Sequence, residues 1–387
     1  MEPRTRPLVG QHQFQRAGIA LKRLRYWLDI SGHSAVTLTS PAAVAWATGG
    51  VHHQVDHAAC TSEVWAVVSH KGAYLIASEV ESDRIEDEYQ PAMLGFDDLL
   101  SFPWYESDGA VNIARSIEAT GASDGHPDLG VDVTEDLVEL RLSLSEPELQ
   151  DLKSLGADVS DAMALSLELF EPGVVDLEIQ SILAQQLERR GVRARILMVG
   201  GDDRLRRYRH PVTQGFPIWH MVMVVVVAER TGLHVATTRY ASVEPLPGEL
   251  SAAFPKLRSI KEKILAACRP GTTYGEVIDH LDSAYREAGY PNEWRNHYQG
   301  GPIGFSQREF EIAPANQDSR WYRHSLEIGT ALAFNPSLPG GAKLEDTYIL
   351  TESGLDPVTT TTAGGSATRT KPNEYGVFQL PGTRHEV

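Results

Sequence analysis

The most conspicuous group of charged and titratable residues in this acidic chain is the segment RLRRYRH (204–210). It contains four arginines and ends in a histidine. Histidine titrates near neutrality, so His210 is of a type suited to proton transfer, although an isolated histidine more often only caps a loop. Clustered arginines are usually a solvated face, and the alternative is a rim that attracts a carboxylate or phosphate substrate. The run alone leaves both interpretations open.

The bulk composition indicates a globular protein that does not bind nucleic acid. A length of 387 residues favours two domains, and 42% apolar residues are enough for their cores. A formal charge of -17 argues against nucleic acid, because binding phosphates requires a basic surface. The two cysteines, Cys60 and Cys268, have no CxxC neighbour, so we expect neither a disulfide framework nor a cysteine zinc site.

No segment has the composition of a leader or a membrane anchor. Residues 1–18 lack the apolar stretch of a signal peptide, and the longest apolar run, residues 221–228, is too short to span a bilayer. We therefore expect a soluble, cytoplasmic protein without a membrane partner.

Alternating helices and strands must position any site. Residues 12–31 predict a helix that ends at Gly32, and the β-rich runs AVTLTS, VWAVVSH and AYLIASEV follow it. The Gly/Asp/Ser/Pro-rich segment 119–132 is typical of a linker or exposed loop. Ser145 is a candidate N-cap of a long helix. We place domains at 1–144 and 145–362, and an irregular tail at 363–387.

The second half contains a weak internal repeat. Residues 170–192 and 268–290 each carry a Pro-Gly turn, an acidic residue and an amphipathic helix, with Gly173 and Gly271 separated by 98 positions. An acidic residue in the first helical turn is favoured by the helix dipole. The similarity is either a coincidence of two helix–turn–helix pieces or a duplicated αβ half with a site between the halves.

Four segments of the second half occur in a familiar order: RYRHPVTQGFP (207–217), GLHVATTRYAS (232–242), GGPIGFSQREFE (300–311) and AFNPSLPGGAKLEDTYILTESG (333–354). Together they resemble the creatinase, prolidase and aminopeptidase P family over about residues 145–357. The resemblance implies an α/β (α+β) architecture with a smaller mixed α/β creatinase-like N-terminal domain. It also implies a C-terminal pita-bread domain with a pseudo-twofold duplication, and a homodimer.

The metal-binding positions of that family are mostly replaced. Its hydrolytic members bind two metal ions through Asp, Asp, His, Glu and Glu. These positions fall here on Val225, Ala236, Gly301, Asn335 and Glu345. One carboxylate cannot hold two divalent cations. We therefore predict a protein without a metal or other cofactor.

The resemblance to creatinase, which works without a metal, assigns roles to the residues that remain. His210-Pro211-Val212-Thr213 matches a motif in which the histidine is the general acid and base. Glu345 falls where creatinase has a carboxylate thought to hold the substrate's cationic group, and the alternative is a salt-bridged strand residue. Thr238 stands where creatinase has a glutamate, which argues against creatine itself as substrate.

Glu309 is a candidate second base or substrate ligand, and Arg308 either orients it or holds a substrate carboxylate; a structural Arg–Glu pair is the alternative. His52 and His53, two adjacent histidines in the first domain, carry little weight as site residues on their own. The predicted catalytic residues are His210, Glu309 and Glu345. The predicted substrate-binding residues are Arg308, His234, Thr238, Arg239, Asn335, Asp346, His297 and Tyr298.

The leading functional hypothesis is a metal-independent, creatinase-like enzyme that acts on an amide, amidine or amine C–N bond of a small polar molecule. Hydrolysis is the first expectation, and elimination, isomerisation or cyclisation in secondary metabolism are variants of it. The alternatives are a catalytically silent pita-bread binding protein and a residual Xaa-Pro metallopeptidase.

Overall fold

A glycine in the left-handed conformation ends the first helix, as the sequence predicts. Helix α1 spans Gln11–Ser31, and the N–H of Gly32 (φ 76°) closes it on the carbonyl of Leu28 at 3.2 Å. The computed structural model describes residues 10–51, 54–359 and 371–381. The chain divides into two compact units, Met1–Glu148 with Thr231–Leu233 and Leu149–Arg230 with His234–Val387.

The first unit is built around a mixed six-stranded sheet with the order β4-β3-β2-β1-β5-β6. Its strands are β1 (Ala35–Leu38), β2 (Val64–Ser69), β3 (Ala73–Ser78), β4 (Asp98–Phe102), β5 (Ala122–Ser123) and β6 (Val131–Asp132). Its helices after α1 are α2 (Pro41–Ala47), α3 (Glu79–Tyr89), α4 (Pro91–Leu94), α5 (Gly109–Ile117) and α6 (Thr134–Leu142). The three β-rich runs form strands as predicted.

The segment 119–132 is not simply a loop. Strand β5 pairs parallel with β1 and β6 pairs parallel with β5, so the sequence prediction is wrong at these two short strands. The backbone groups of Ala122 and Ser123 are buried and are satisfied by pairing, which the composition of the segment does not indicate.

The second unit contains two four-stranded sheets, with the orders β18-β11-β10-β8 and β12-β13-β16-β17. Its helices are α7 (Glu146–Leu167), α8 (Asp176–Glu188), α9 (Asp203–Arg207), α10 (Gly248–Ala267) and α11 (Tyr274–Glu287), with 3-10 turns at Glu293–Asn296 and Arg320–Arg323. The strands are β7 (Val174–Val175), β8 (Arg193–Gly201), β9 (Pro217–Ile218), β10 (Met221–Arg230), β11 (Leu233–Ser242), β12 (Gly300–Pro302), β13 (Ala331–Phe334), β14 (Ser337–Leu338), β15 (Ala342–Lys343), β16 (Asp346–Thr351), β17 (Gly354–Pro357) and β18 (Val377–Gln379).

The ends of these elements follow local chemistry. Ser145 and Glu148 close the start of α7, where the Ser145 N–H donates to the Glu148 carboxylate at 2.6 Å. The two Pro-Gly turns of the repeat place Gly173 (φ 91°) and Gly271 (φ 85°) in the left-handed region, and α8 and α11 begin after them. Nine of the ten residues of β10 are buried, as a central strand rich in valine requires.

The tail predicted to be irregular contributes a strand to the sheet β18-β11-β10-β8. Strand β18 pairs parallel with β11, with Tyr240 opposite Val377, so the prediction is wrong at Val377–Gln379. Val377 and Phe378 bury their side chains there, which the surrounding Gly, Thr and Pro residues conceal in the sequence. The rest of the predicted tail before residue 371 lies outside the described residues, as do residues 382–387.

No helix within the described ranges is long and apolar enough to cross a membrane.

One buried carboxylate organises the loop between α9 and β10. Asp176 at the start of α8 is fully buried and accepts hydrogen bonds from the backbone N–H groups of Gln214, Gly215 and Phe216. The same carboxylate also forms an ion pair with the guanidinium of Arg204 at 3.0 Å. The loop that carries His210 is thus tied at both of its ends to a single side chain.

We expect Asp176→Ala to lower the free energy of unfolding by about 3 kcal/mol or more, because it leaves a largely buried arginine unpaired and three N–H groups without an acceptor. Urea denaturation of the full chain measures the change. Glu178→Ala is the matched control, since Glu178 lies in the same helical turn but is exposed; we expect it to change stability by less than about 0.5 kcal/mol. Equal effects of the two variants contradict the assignment.

Candidate active site

The strand β11 and the segment before β16 run side by side at the centre of the site. The N–H of Thr238 donates to the carbonyl of Glu345 at 3.2 Å, and the Thr238 hydroxyl donates to the Glu345 carboxylate at 2.6 Å. Further along, the hydroxyl of Thr347 accepts from the N–H of Ala236 at 2.8 Å and donates to its carbonyl at 3.0 Å. These bonds join the two sheets and fix Thr238 against Glu345.

Lys343 is a member of the site that sequence analysis missed. It is only 4% exposed, and its Nζ lies 3.6 Å from Oε2 of Glu345. The phenol of Tyr240 holds the backbone of Lys343, since it accepts from its N–H at 2.9 Å and donates to its carbonyl at 3.1 Å. The available signal was the spacing: in an extended segment, residues two apart share a side, so a lysine two before Glu345 faces the same way.

His210 and His297 lie next to each other in this unit. Their ring centroids are 4.9 Å apart, and Tyr298 lies 6.4 Å from both rings. His210 is exposed, whereas His297 is buried. The sequence therefore identified three residues that the fold brings together.

The motif of His210 is held through its neighbours. The hydroxyl of Thr213 accepts from the N–H of Val199 on β8 at 2.9 Å, which anchors the end of the motif. Arg209 donates to the hydroxyl of Ser337 at 3.1 Å and pairs with Glu293. The ring of His210 itself is exposed.

The other arginines of the basic run also have carboxylate partners. Arg204 pairs with Asp176, and Arg206 and Arg207 lie beside Asp203. Three carboxylates thus contact the four guanidinium groups, with Asp203 shared by two of them, and these contacts support the loop. The contacts do not favour a rim that attracts anions.

Both histidines of the site are held toward the neutral form. Partial burial and the ammonium of Lys343 lower the pKa of His210, and Glu345 opposes them. Burial, again with Lys343, lowers the pKa of His297 to about 3. His297 is therefore a neutral imidazole at physiological pH, and His210 is able to accept a proton.

Two buried polar atoms of the site have no hydrogen-bond partner among the described residues. They are Nε2 of His297 and the side-chain oxygen of Asn335. The backbone of Asn335 donates to the carbonyl of Gln299 at 3.0 Å, so the two residues lie on adjoining segments. Buried polar atoms are normally satisfied by protein or ordered water, so this pair of atoms is a place where a water molecule or a ligand group can bind.

Two of the predicted substrate-binding residues, Arg239 and Asp346, lie in a separate ionic network. The carboxylate of Asp346 accepts from Arg239 at 2.6 Å and from Lys261 at 2.7 Å. Arg239 also donates to the carbonyl of Thr359 at 2.6 Å. Burial would raise the pKa of Asp346, but the two cations outweigh it and hold the pKa below its usual value. The network is internally satisfied and serves the packing of β11 against β16.

Arg308 is occupied by the backbone. Its Nη1 donates to the carbonyls of Gly301 and Ala333, each at 2.9 Å, and its Nε lies 3.1 Å from Glu311. Glu309 accepts from the N–H of Ser306 at 3.1 Å. The predicted partnership of Arg308 with Glu309 is thus replaced by one with Glu311.

His234 is buried on β11, where its Nδ1 lies 3.0 Å from the carbonyl of Gly304. Burial lowers the pKa of its ring, against the effects of Glu229 and of that carbonyl. Glu229 forms its own ion pair with Arg195 at 3.4 Å. His52 and His53 lie outside the described residues.

The residues at the five metal positions do not fit a dinuclear metal site. Val225 and Ala236 have no donor atom, and Gly301 has a φ of 154°, a conformation that histidine rarely adopts. Asn335 offers only a neutral amide, and Glu345 is already hydrogen-bonded to a threonine beside an ammonium group. Across the described residues, no group of three or more His, Cys, Asp or Glu side chains is arranged to hold a metal ion.

We expect Asp346→Asn to destabilise the protein by about 3 kcal/mol or more, because two largely buried cations lose their counter-charge. The lowered pKa of Asp346 means that its contribution is present above about pH 4 and is lost as the pH falls through that pKa. Urea denaturation between pH 3 and pH 7 measures the free energy of unfolding. This free energy should fall less on acidification in the variant than in the wild type. Asp356→Asn, on an exposed position of β17, is the control; the same result for both variants contradicts the network's role.

Comparisons with known proteins agree with this architecture. The model of metallopeptidase family M24 matches residues 152–352, just over half of the chain. The Xaa-Pro dipeptidase of Lactobacillus delbrueckii subsp. lactis is 21% identical in an alignment 370 residues long, which covers 88% of this chain and 96% of that protein. The agropine synthesis cyclase of Rhizobium rhizogenes is 29% identical over 121 residues, 30% of this chain and 29% of that protein.

The crystal structure of dipeptidase PepE from Mycobacterium ulcerans is similar with a TM-score of 0.73 and 20% identity, over 91% of this chain and 97% of that one. This similarity confirms the predicted pita-bread fold. Together with the family match, it shows that the protein belongs to metallopeptidase family M24.

Proposed function

We propose that this protein is a metal-independent enzyme that breaks a C–N bond of a small polar molecule, with His210 as general acid and base. The C–N bond is an amide, amidine or amine bond. The observation that carries the proposal is the coincidence of two features: the metal-ligand positions have lost their donors, and a titratable group of His210, His297, Lys343 and Glu345 lies in the same unit.

His210 is suited to the proton transfers of such a reaction. Its ring is exposed and its lowered pKa leaves it unprotonated near neutrality, so it can take a proton from an attacking water. In hydrolysis, a C–O bond forms, the C–N bond breaks, and His210 passes the proton from water to the leaving nitrogen. Without activated metal-bound water, a bond weaker than an ordinary peptide bond is the expected target.

Glu345 has a different role from the one that the resemblance to creatinase implies. Its carboxylate faces the ammonium of Lys343 at 3.6 Å and accepts from Thr238 at 2.6 Å. We propose that Glu345 orients Lys343 and supports a proton on His210, and that it does not bind a substrate cation. Glu309 remains a candidate second base.

Cyclisation is a variant of the same chemistry. If a hydroxyl of the substrate replaces water as the attacking group, His210 carries the same proton and the product is a ring. The name of the similar agropine synthesis cyclase is compatible with this variant and with a role in secondary metabolism. The predicted small-molecule substrate, homodimer and cytoplasmic location stay predictions.

The titration of His210 tests the electrostatics of the site without a substrate. His210 faces His297, Tyr298, Lys343 and Glu345. In an NMR titration of the ring C2 proton, we expect Lys343→Met to raise its pKa, because a cation is removed, and Glu345→Gln to lower it. Lys153→Met, at an exposed lysine, is the control and should leave the curve unchanged. Shifts of the same sign in both site variants contradict the arrangement.

Turnover and metal content test the function itself. We expect chelated full-length protein to release amine or ammonia from a member of a panel of N-amidino and N-carbamoyl amino acids, and to leave the ordinary peptide bond of glycyl-proline intact. His210→Ala should lose this activity, whereas His220→Ala, at an exposed histidine, should keep it. Two equivalents of manganese per chain with chelator-sensitive cleavage of glycyl-proline would instead identify a metallopeptidase. No release from any compound would favour a binding protein.

A further inference from the structure

The ammonium of Lys343 has different contacts from that of Lys261, the other buried lysine that pairs with an acidic residue next to β11. Lys261 donates to Asp346 at 2.7 Å, and that carboxylate is saturated by Arg239 as well. Lys343 lies 3.6 Å from Glu345, beyond hydrogen-bond distance, and its ammonium makes no hydrogen bond within the described residues. A buried ion pair that served only stability would be expected to close, because desolvation is repaid by short, directed bonds.

Glu345 does not need Lys343 for its own satisfaction. Its Oε2 already accepts the hydroxyl of Thr238 at 2.6 Å. The lysine therefore keeps three N–H donors for another group while its charge is balanced by the nearby carboxylate. Lys343 is only 4% exposed as a residue, and its ammonium makes no hydrogen bond to the described residues, so it is ready to bind an anion.

Two acceptors on adjoining segments of the unit lack donors. His297 is 9% exposed, and its Nδ1 faces the carbonyl of Tyr298, which can only accept; the proton of the neutral ring therefore lies on Nδ1 and leaves Nε2 as a bare acceptor. Asn335 is 7% exposed, and its side-chain oxygen is also unpaired among the described residues. Ser337, two residues after Asn335, pairs with Lys343 between β14 and β15.

We infer that Lys343 is a carboxylate-binding residue, and that Nε2 of His297 and the amide oxygen of Asn335 accept hydrogen bonds from an N–H or O–H group of the same ligand. A monoanion matches a single lysine, whereas a dianion such as phosphate would be repelled by the carboxylate of Glu345. This inference rests on the proposed function and specifies its substrate as a small molecule with one carboxylate and one nearby donor.

The test is binding to the full-length protein, measured by calorimetry and by the ring signals of His210 and His297. N-acetylglycine carries a carboxylate and an N–H group, and N-acetylglycinamide replaces the carboxylate by a neutral primary amide of similar size. We expect the carboxylate to bind about tenfold or more tightly than the amide, as is typical of a hydrogen bond to a charged group. Inorganic phosphate should bind more weakly than N-acetylglycine.

Three variants assign the binding to the named side chains. Lys343→Met should abolish the preference for the carboxylate, Lys343→Arg should retain it, and the exposed Lys153→Met should have no effect. Asn335→Leu should remove the advantage of N-acetylglycine over acetate, which has no N–H group. If Lys343→Met does not fold, the wild type and Lys343→Arg still decide the question.

Equal affinity for the carboxylate and the amide, or an unchanged preference in Lys343→Met, would overturn the inference. So would the absence of any response of the His210 and His297 signals to acetate, glycine or N-acetylglycine. These outcomes are independent of turnover. Unchanged turnover in His210→Ala would refute the proposed mechanism and leave the binding result intact.

Discussion

The packing of β11 against β16 is the constraint on which the rest of the site depends. Thr347 bonds to both backbone groups of Ala236, and Thr238 bonds to the backbone and the side chain of Glu345. Strands from two different sheets therefore share a row of hydrogen bonds in a buried environment, where each lost bond is costly. The register of this row decides which side chains meet.

Two consecutive acidic residues on this row have different surroundings. Asp346 is saturated by Arg239 and Lys261 and stabilises the fold, whereas Glu345 meets Lys343 across a gap of 3.6 Å. Adjacent residues of an extended segment point to opposite sides, so one carboxylate belongs to the packing and the next belongs to the site. The difference in distance is what separates a structural ion pair from one with free donors.

In the proposed site, the positive charge comes from a lysine and not from metal ions. Four of the five metal-ligand positions of the family lack a suitable donor, and an ammonium group stands beside the carboxylate that remains. A lysine attracts an anion but does not generate hydroxide from water, so the proposed mechanism assigns proton transfer to a histidine. This is the physical connection between the lost ligands, Lys343 and the neutral state of His210.

The sequence by itself indicated helices α1, α7, α8 and α11, three strands of the first unit and the pita-bread fold, because periodicity, caps and motif order are local properties. It also named His210, His297, Tyr298, Thr238, Asn335 and Glu345 as candidate site residues. Only the tertiary structure decided that Arg308 and Arg239 are committed to carbonyls and carboxylates, that β18 joins β11, and that the ammonium of Lys343 lies beside Glu345. The partners of β11 and of Arg239 lie more than a hundred residues further along the chain, at Val377 and Thr359, and local sequence patterns do not reveal contacts of that separation.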